Sequence, residues 1–426
     1  MNAKKVLIIS HNPINTTDNM GKTIGNIFSK FKEEELCQLY FRKQNVEASN
    51  CKDFFCIDDV SMVKSIFNRF YKTGQIVQNN TIVNQPKESE EDIFQYGRKR
   101  TGKIYILRNI LWKIGKWKSK GLKMWLAQMK PTCIFFVAGD YNFAFNISMK
   151  ISKMLNIPLY IYYTDEFYRK NIGKQDITNK IAKSSYRRIF SKAIKQSKDY
   201  FTITENMLEF YQKEFDKKGN VLMNSTNILG KEKVNLKESH SLKIKYIGNL
   251  GCDRWKNIIE IKEVIDRVNE SANIKFEFEV YSGEKNKEIL EKVKKQLGVD
   301  YKGSISNEVV QEKIQEADIL VHTENFEDIN KERVKYSLST KIPDTLASKR
   351  ILLAYGPKEV ASMEYIEKNN VGIVANNKLE LETKLFDLAN NKIDINSIMK
   401  NATELVEKNH RIKSIHNLLY KIIMEE

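Results

Sequence analysis

Ser339, Thr340, Lys341 and Asp344 occupy a stretch, 334–357, that reads as a loop, a helix and a buried strand. Ser339 and Thr340 are hydroxyl residues of the type that caps a helix N-terminus, and Pro343 fits a first helical turn. Such a turn presents backbone N–H groups and a partial positive charge of roughly +0.5 e, to which Lys341 adds a full one. The chemistry on offer is anion binding, at the size of a phosphate. An ordinary capped helix with a neighbouring lysine is the alternative. Residues 351–354 then read as the strand, stopped by Gly356 and Pro357.

Other reactive side chains recur just after short apolar runs. His11 follows 4–10 and opens a loop leading to Gly21 and Lys22, where backbone N–H groups are open to a ligand. Asp140 follows 132–138, Asp165 follows 157–163, Gly283 follows 276–281, and Glu324 follows 318–322. Ligands of open α/β sheets bind beyond the carboxyl ends of the strands, which makes these positions candidates. No GxGxxG points to a dinucleotide, and no Asp-x-Asp triplet offers a metal site.

The string STKIPDTLASKRILLAYGP, residues 339–357, resembles the donor-site signature of GT-B glycosyltransferases, of the family-4-like kind that build bacterial surface polysaccharides. The resemblance implies that Thr340, Lys341 and Asp344 open the helix that holds a nucleotide sugar, with Asp344 where Glu is commoner. The family's pair of glutamates eight apart has Tyr336 at its first position here. Similarity to the family also implies that Arg254 and Lys256, after Gly248–Gly251, grip the diphosphate, although Asn249 stands where an Arg is usual. Lys302 and Gly303 resemble the short strand that meets the donor base. Gly21 falls in a loop that touches donor or acceptor, and Asp140 takes about the place of a frequent histidine. An aspartate there either orients or deprotonates an acceptor hydroxyl or caps the next helix. His11 and Asp165 are acceptor-side candidates. Lys256, Lys341 and Asp140 carry the expected catalysis, since departing diphosphate charge must be stabilised. The implied reaction is metal-independent, retaining transfer from a nucleoside diphosphate sugar, with a UDP-sugar favoured and no cofactor. Acceptors of this class are glycans, lipid-linked glycans or protein-linked glycans.

Elements must position these groups. An opening like that of residues 4–9 recurs at 242–247, again followed by a glycine-containing loop, so the chain is read as two Rossmann-like halves. The expected architecture is α/β, with parallel sheets facing each other across a cleft and a C-terminal helix crossing back. Expected domains are 1–235, with a polar linker at 225–241, then 236–400, then the helix 401–426. The 426 residues suffice for two cores, and 41% hydrophobic content excludes general disorder. No apolar run reaches membrane-span length, and no signal-peptide core is read at the start. Five unpaired cysteines read as reduced thiols of a cytosolic protein.

Lys and Arg number 71 against 54 Asp and Glu, a net +17 that attracts polyanions. The segment 98–130 contains no acidic residue, and its periodicity predicts two amphipathic helices. Leu107, Ile110, Leu111, Ile114 and Trp117 share one apolar face, as do Leu122, Trp125, Leu126 and Met129. Either these faces pack on the sheet, or the segment rests on an anionic membrane with Trp112, Trp117 and Trp125 at the headgroups. The second reading places the protein at the inner face of the cell membrane. Nucleic acid is disfavoured, since no zinc finger, RNP-like string or basic heptad helix is present. A donor-binding subunit without turnover, or a sugar-nucleotide epimerase on the same fold, are the rivals.

Overall fold

A computed structural model describes residues 4–16, 19–48, 50–68, 70–79, 101–169, 176–230, 240–295 and 300–425. The chain forms two compact units, one comprising Met1–Met223 with Ile415–Glu426, the other Asn224–Ser414. The expected domain boundary at 235/236 lies outside the described residues, as do 98–100 of the basic segment.

In unit 1 the strands are β1 (Val6–Ser10), β2 (Leu36–Tyr40), β3 (Phe54–Cys56), β4 (Gln75–Val77), β5 (Cys133–Ala138), β6 (Leu159–Tyr163), β7 (Asp199–Thr202) and β8 (Asn220–Val221). Their order is β4-β3-β2-β1-β5-β6-β7-β8, parallel except for β4 at the edge. β1, β5 and β6 are buried at every residue, which is why they appear in sequence as apolar runs rather than alternations. The helices are α1 (Asn19–Phe28), α2 (Asp59–Phe67), α3 (Gly102–Ile114), α4 (Lys120–Met129), α5 (Asn142–Leu155), α6 (Ile177–Gln196) and α7 (Glu205–Phe215).

Unit 2 carries β9 (Ser241–Ile247), β10 (Lys275–Tyr281), β11 (Asp300–Gly303), β12 (Ile319–Thr323), β13 (Ile351–Tyr355) and β14 (Ile373–Ala375), all parallel in the order β11-β10-β9-β12-β13-β14. Its helices are α8 (Arg254–Ser271), α9 (Lys287–Lys295), α10 (Asn307–Gln315), α11 (Asp328–Val334), α12 (Lys341–Ala347), α13 (Ala361–Lys368), α14 (Lys378–Ala389) and α15 (Ile395–Asn409). α15 runs unbroken through the expected boundary at 400/401, and the chain rejoins unit 1 only after α16 (Ile412–Tyr420) has begun. There Ile415, Leu419, Ile422 and Ile423 are buried in the unit 1 core, and Tyr160 Oη donates to the Ile422 carbonyl at 3.3 Å.

Of the two readings of the basic segment, packing of the apolar face on the sheet holds for α4 and not for α3. α4 buries Leu122, Trp125 and Leu126 as its pattern suggests. α3 instead buries Tyr105, Arg108 and Trp112, while Leu107, Ile110 and Ile114 are exposed. Asp59 on α2 is the cause. It pairs with the Arg108 guanidinium at 2.9 Å and accepts from Trp112 Nε1 at 2.6 Å, so the polar pair fixes which face turns inward. Trp112 also stacks on Phe143 at 4.1 Å. Trp112, Trp117 and Trp125 are all buried, so none of these rings stands at a headgroup interface.

Each sheet reverses its strand order once. In unit 1 the chain leaves β1 in opposite directions to reach β2 and β5, and in unit 2 it does the same from β9 to β10 and β12. The crevices beyond the carboxyl ends of β1/β5 and β9/β12 are therefore the places where this architecture holds ligands.

Candidate functional site

At the β9/β12 point of unit 2, β9 passes into Gly248, whose N–H donates to the Tyr281 carbonyl at 2.9 Å. Tyr246 Oη donates to the Asn249 carbonyl at 2.6 Å and closes the loop. Lys341, the first residue of α12, folds its ammonium back to donate to the Ile247 carbonyl at 2.6 Å. Arg254 opens α8 and reaches the loop after β12, with Nη2 at 2.8 Å from Glu324 Oε2 and Nε at 3.2 Å from the Thr323 carbonyl. Glu324 is itself held in place. Its N–H donates to the Tyr355 carbonyl, and buried Asn257 donates to its carbonyl and to Thr323 Oγ1. His322, buried at the end of β12, lies 3.1 Å from Ser362 Oγ.

These groups act on one another electrostatically. Loss of water and repulsion from Arg254, partly opposed by Glu324, pull the Lys341 ammonium down to about 8, although the residue as a whole is exposed. Burial, with Arg254 and Lys341 close by, lowers His322 to about 3 and keeps it neutral. Burial raises the Glu324 carboxyl above the usual range, and Arg254 and Lys341 work against that rise. Two cations thus share a partly water-excluded place with one carboxylate. Such a place is suited to an added anion, because a cation already deprived of water gains most from a new partner.

Gly248 shows how tight the place is. A Cβ there would stand 2.7 Å from Lys341 Nζ and 2.7 Å from the Tyr246 ring. Gly248→Ala is therefore expected to push Lys341 aside and weaken anion binding about fivefold or more, readable by titration calorimetry.

The other donor-side candidates are placed as follows. Ser339 Oγ accepts from the Lys341 N–H at 3.4 Å, but Thr340 is exposed, helical in backbone and makes no side-chain cap bond, so the expected hydroxyl cap at Thr340 is absent. The reason is local: Thr340 already has helical φ and ψ, and a capping side chain needs an extended backbone. Asp344 accepts from Thr226 Oγ1 at 2.6 Å and so ties α12 to the start of unit 2. Lys256 is partly exposed on the first turn of α8 and paired with Glu327. Gly283 follows β10 beside Ser282, whose N–H donates to the Gly303 carbonyl at 2.9 Å. Lys302 is exposed and paired with Asp300 at 2.6 Å.

Unit 1 gathers the acceptor-side candidates at its own reversal point. His11 follows β1 and its ring lies 4.7 Å from that of Tyr141. Tyr141 follows Asp140, which is buried and accepts from Tyr105 Oη at 2.5 Å. The Arg108 guanidinium sits 4.0 Å over the Tyr141 ring. His11 Nδ1 is buried without a hydrogen-bond partner, and burial, then Arg108 and Arg42, hold the imidazole well below its ordinary pKa. The fold thus brings a histidine from another loop to Tyr141, the residue that follows Asp140. Asp165 lies after β6, partly buried, with the Glu166 N–H donating to its Oδ1 at 2.9 Å. Gly21 is enclosed: a Cβ would meet the Asn15 side chain at 2.6 Å and the Pro13 carbonyl at 2.7 Å, so its smallness serves the closure of the 11–16 loop. Lys22 is exposed. Among the described residues, no three His, Cys, Asp or Glu side chains are grouped to hold a metal.

Sequence reading passed over Tyr246, His322, Asn257, Tyr105 and Arg108. A histidine inside the apolar run of β12 was a usable signal. Arg108 offered none, because its partner Asp59 is 49 positions away.

No protein-family model and no curated protein sequence matches the chain. Solved structures do resemble it over nearly its whole length. HepE of Anabaena in complex with UDP has a TM-score of 0.61 at 10% identity, covering 99% of this chain and 100% of that one. Sucrose-phosphate synthase of Thermosynechococcus elongatus has 0.60 at 10% identity, covering 99% and 98%. The lipopolysaccharide outer core galactosyltransferase WaaB, in its apo form, has 0.60 at 10% identity, covering 99% and 100%. At such identity the likeness is one of fold. The two-sheet α/β architecture is that of GT-B, as the sequence leads one to expect.

Proposed function

We propose that the chain is a glycosyltransferase that moves a sugar from a nucleoside diphosphate sugar, a UDP-sugar in first place, to a hydroxyl of a glycan, lipid-linked glycan or protein-linked glycan. The observation that carries this reading is the pair Lys341 and Arg254 at the β9/β12 reversal point, on a fold shared with a UDP-bound neighbour. In this reading both cations stabilise the diphosphate as the sugar leaves it, with no metal required. Arg254 offers a planar fork and Lys341 a point charge. On the acceptor side, Asp140 and the neutral His11 next to Tyr141 are the groups read as orienting an acceptor hydroxyl. Transfer is read as retaining, in the synthesis of bacterial surface polysaccharide or glycoconjugate in the cytoplasm.

Release of the matching nucleoside diphosphate from a panel of UDP-, GDP- and TDP-sugars, run in EDTA, tests the reading. Turnover of at least one donor that survives the chelator is expected. Loss of all turnover with EDTA, restored by Mg²⁺ or Mn²⁺, contradicts metal independence. Saturable binding with no release on any acceptor favours the donor-binding subunit, a reading to which Tyr336 in place of Glu lends support.

A further inference from the structure

α3 has two contrasting faces. Tyr105, Arg108 and Trp112 point inward and brace the Tyr141 loop. Leu107, Ile110 and Ile114, spaced as one stripe, are 60%, 49% and 60% exposed. α2 lies alongside, since its Asp59 holds Arg108 and its Ser65 accepts from the Lys116 N–H at 3.2 Å. Just beyond Ser65, Phe67 is 86% exposed and Phe70 is 89% exposed. Large apolar side chains scattered singly on a surface need no account, but a helix stripe flanked by two bare phenylalanines does.

Charge identifies what covers it. Residues 101–130 hold no acidic residue, and Lys103, Lys113, Lys116, Lys118, Lys120 and Lys123 are all exposed. A water-soluble protein partner would need an acidic rim around an apolar centre. An anionic bilayer supplies both, headgroup charge at the rim and acyl chains beneath, for residues that enter only a few ångströms. No helix among the described residues is long and apolar enough to cross a membrane, which leaves attachment to one leaflet. We infer that the outer stripe of α3, with Phe67 at the end of α2 and Phe70, forms a docking surface for an anionic lipid bilayer, independently of the sugar-transfer reading.

Co-sedimentation of the full chain with vesicles tests this. Wild type is expected to bind phosphatidylcholine vesicles containing phosphatidylglycerol, to bind pure phosphatidylcholine at least about tenfold less, and to be released as salt rises. Leu107→Gln/Ile110→Gln/Ile114→Gln removes the stripe from solvent-facing positions, so folding, checked by circular dichroism, is retained while binding falls about tenfold or more. Lys113→Gln/Lys116→Gln/Lys118→Gln/Lys120→Gln is expected to lower binding by a similar factor. Failure of wild type to bind anionic vesicles at low salt, or equal binding by wild type and the folded stripe variant, overturns the proposal. Absence of nucleotide binding alongside intact vesicle binding would sink the transferase reading and leave this surface standing.

Discussion

Replacing Lys341 by alanine is expected to weaken nucleoside diphosphate binding by about tenfold to a hundredfold. A charge-assisted contact in a partly dry place is worth about 1.5–3 kcal/mol, and the remaining cation, Arg254, is already engaged by Glu324. Thermal unfolding should hardly change, because in the free protein the ammonium contacts only one carbonyl by hydrogen bond and is held there at an electrostatic cost. The pH dependence gives an independent reading. In the free protein Lys341 loses its proton as pH rises through about 8, well below the ordinary lysine range, so wild-type affinity should decline above that pH. A bound diphosphate favours the charged form, and binding above pH 8 should therefore take up a proton. Lys341→Ala should lack that decline, since Arg254 stays charged throughout. Calorimetric titrations at pH 7 and 9.5 on both proteins check this. An unaltered affinity in the variant, or the same decline in both, dismisses Lys341 as the anion contact. Lys256→Ala, at a partly exposed residue paired with Glu327, should cost only about twofold to threefold.

Arg254→Ala is expected to have the largest effect on stability, about 3–5 kcal/mol at neutral pH. Removing one partner of a buried pair leaves Glu324, whose side chain is 6% exposed, without its countercharge. The sign with pH follows from Glu324. Its folded-state pKa already lies above the unfolded value and rises further without Arg254. A raised pKa gives stability that is present below the unfolded value and lost as pH climbs through the folded one. The variant should therefore fall furthest below wild type at pH 7 and approach it as pH drops toward about 4.3. Urea unfolding across that range measures it, and Arg254→Ala/Glu324→Gln should recover most of the loss. A single variant as stable as wild type at pH 7 would show that the pair is not the anchor of the β12 loop.

Much of this arrangement was legible because strands of a parallel sheet are buried on both sides. β1, β5, β6 and β13 stand out as apolar runs, and the polar residues after them mark the ligand-bearing ends. Strand order was not legible. Nothing near His11 or Tyr141 in sequence says that β1 and β5 are neighbours, yet that pairing brings the two rings together. Which face of α3 turns inward was not legible, because periodicity ranks faces by apolar content while a single distant carboxylate, Asp59, draws Arg108 and Trp112 inward. Thr340 shows the same limit on a smaller scale. Its type suits a cap, but the backbone it adopts does not.

The central claim is that Lys341 and Arg254 at the end of β9 and β12 grip a diphosphate. Calorimetric titration of wild-type protein at pH 7 with UDP, against uridine as the control, tests it most directly. The account predicts saturable one-to-one binding of UDP and, because uridine lacks the charged group, at least about a hundredfold weaker binding of uridine. No heat of binding with UDP, GDP or TDP, or equal affinities for UDP and uridine, would contradict it.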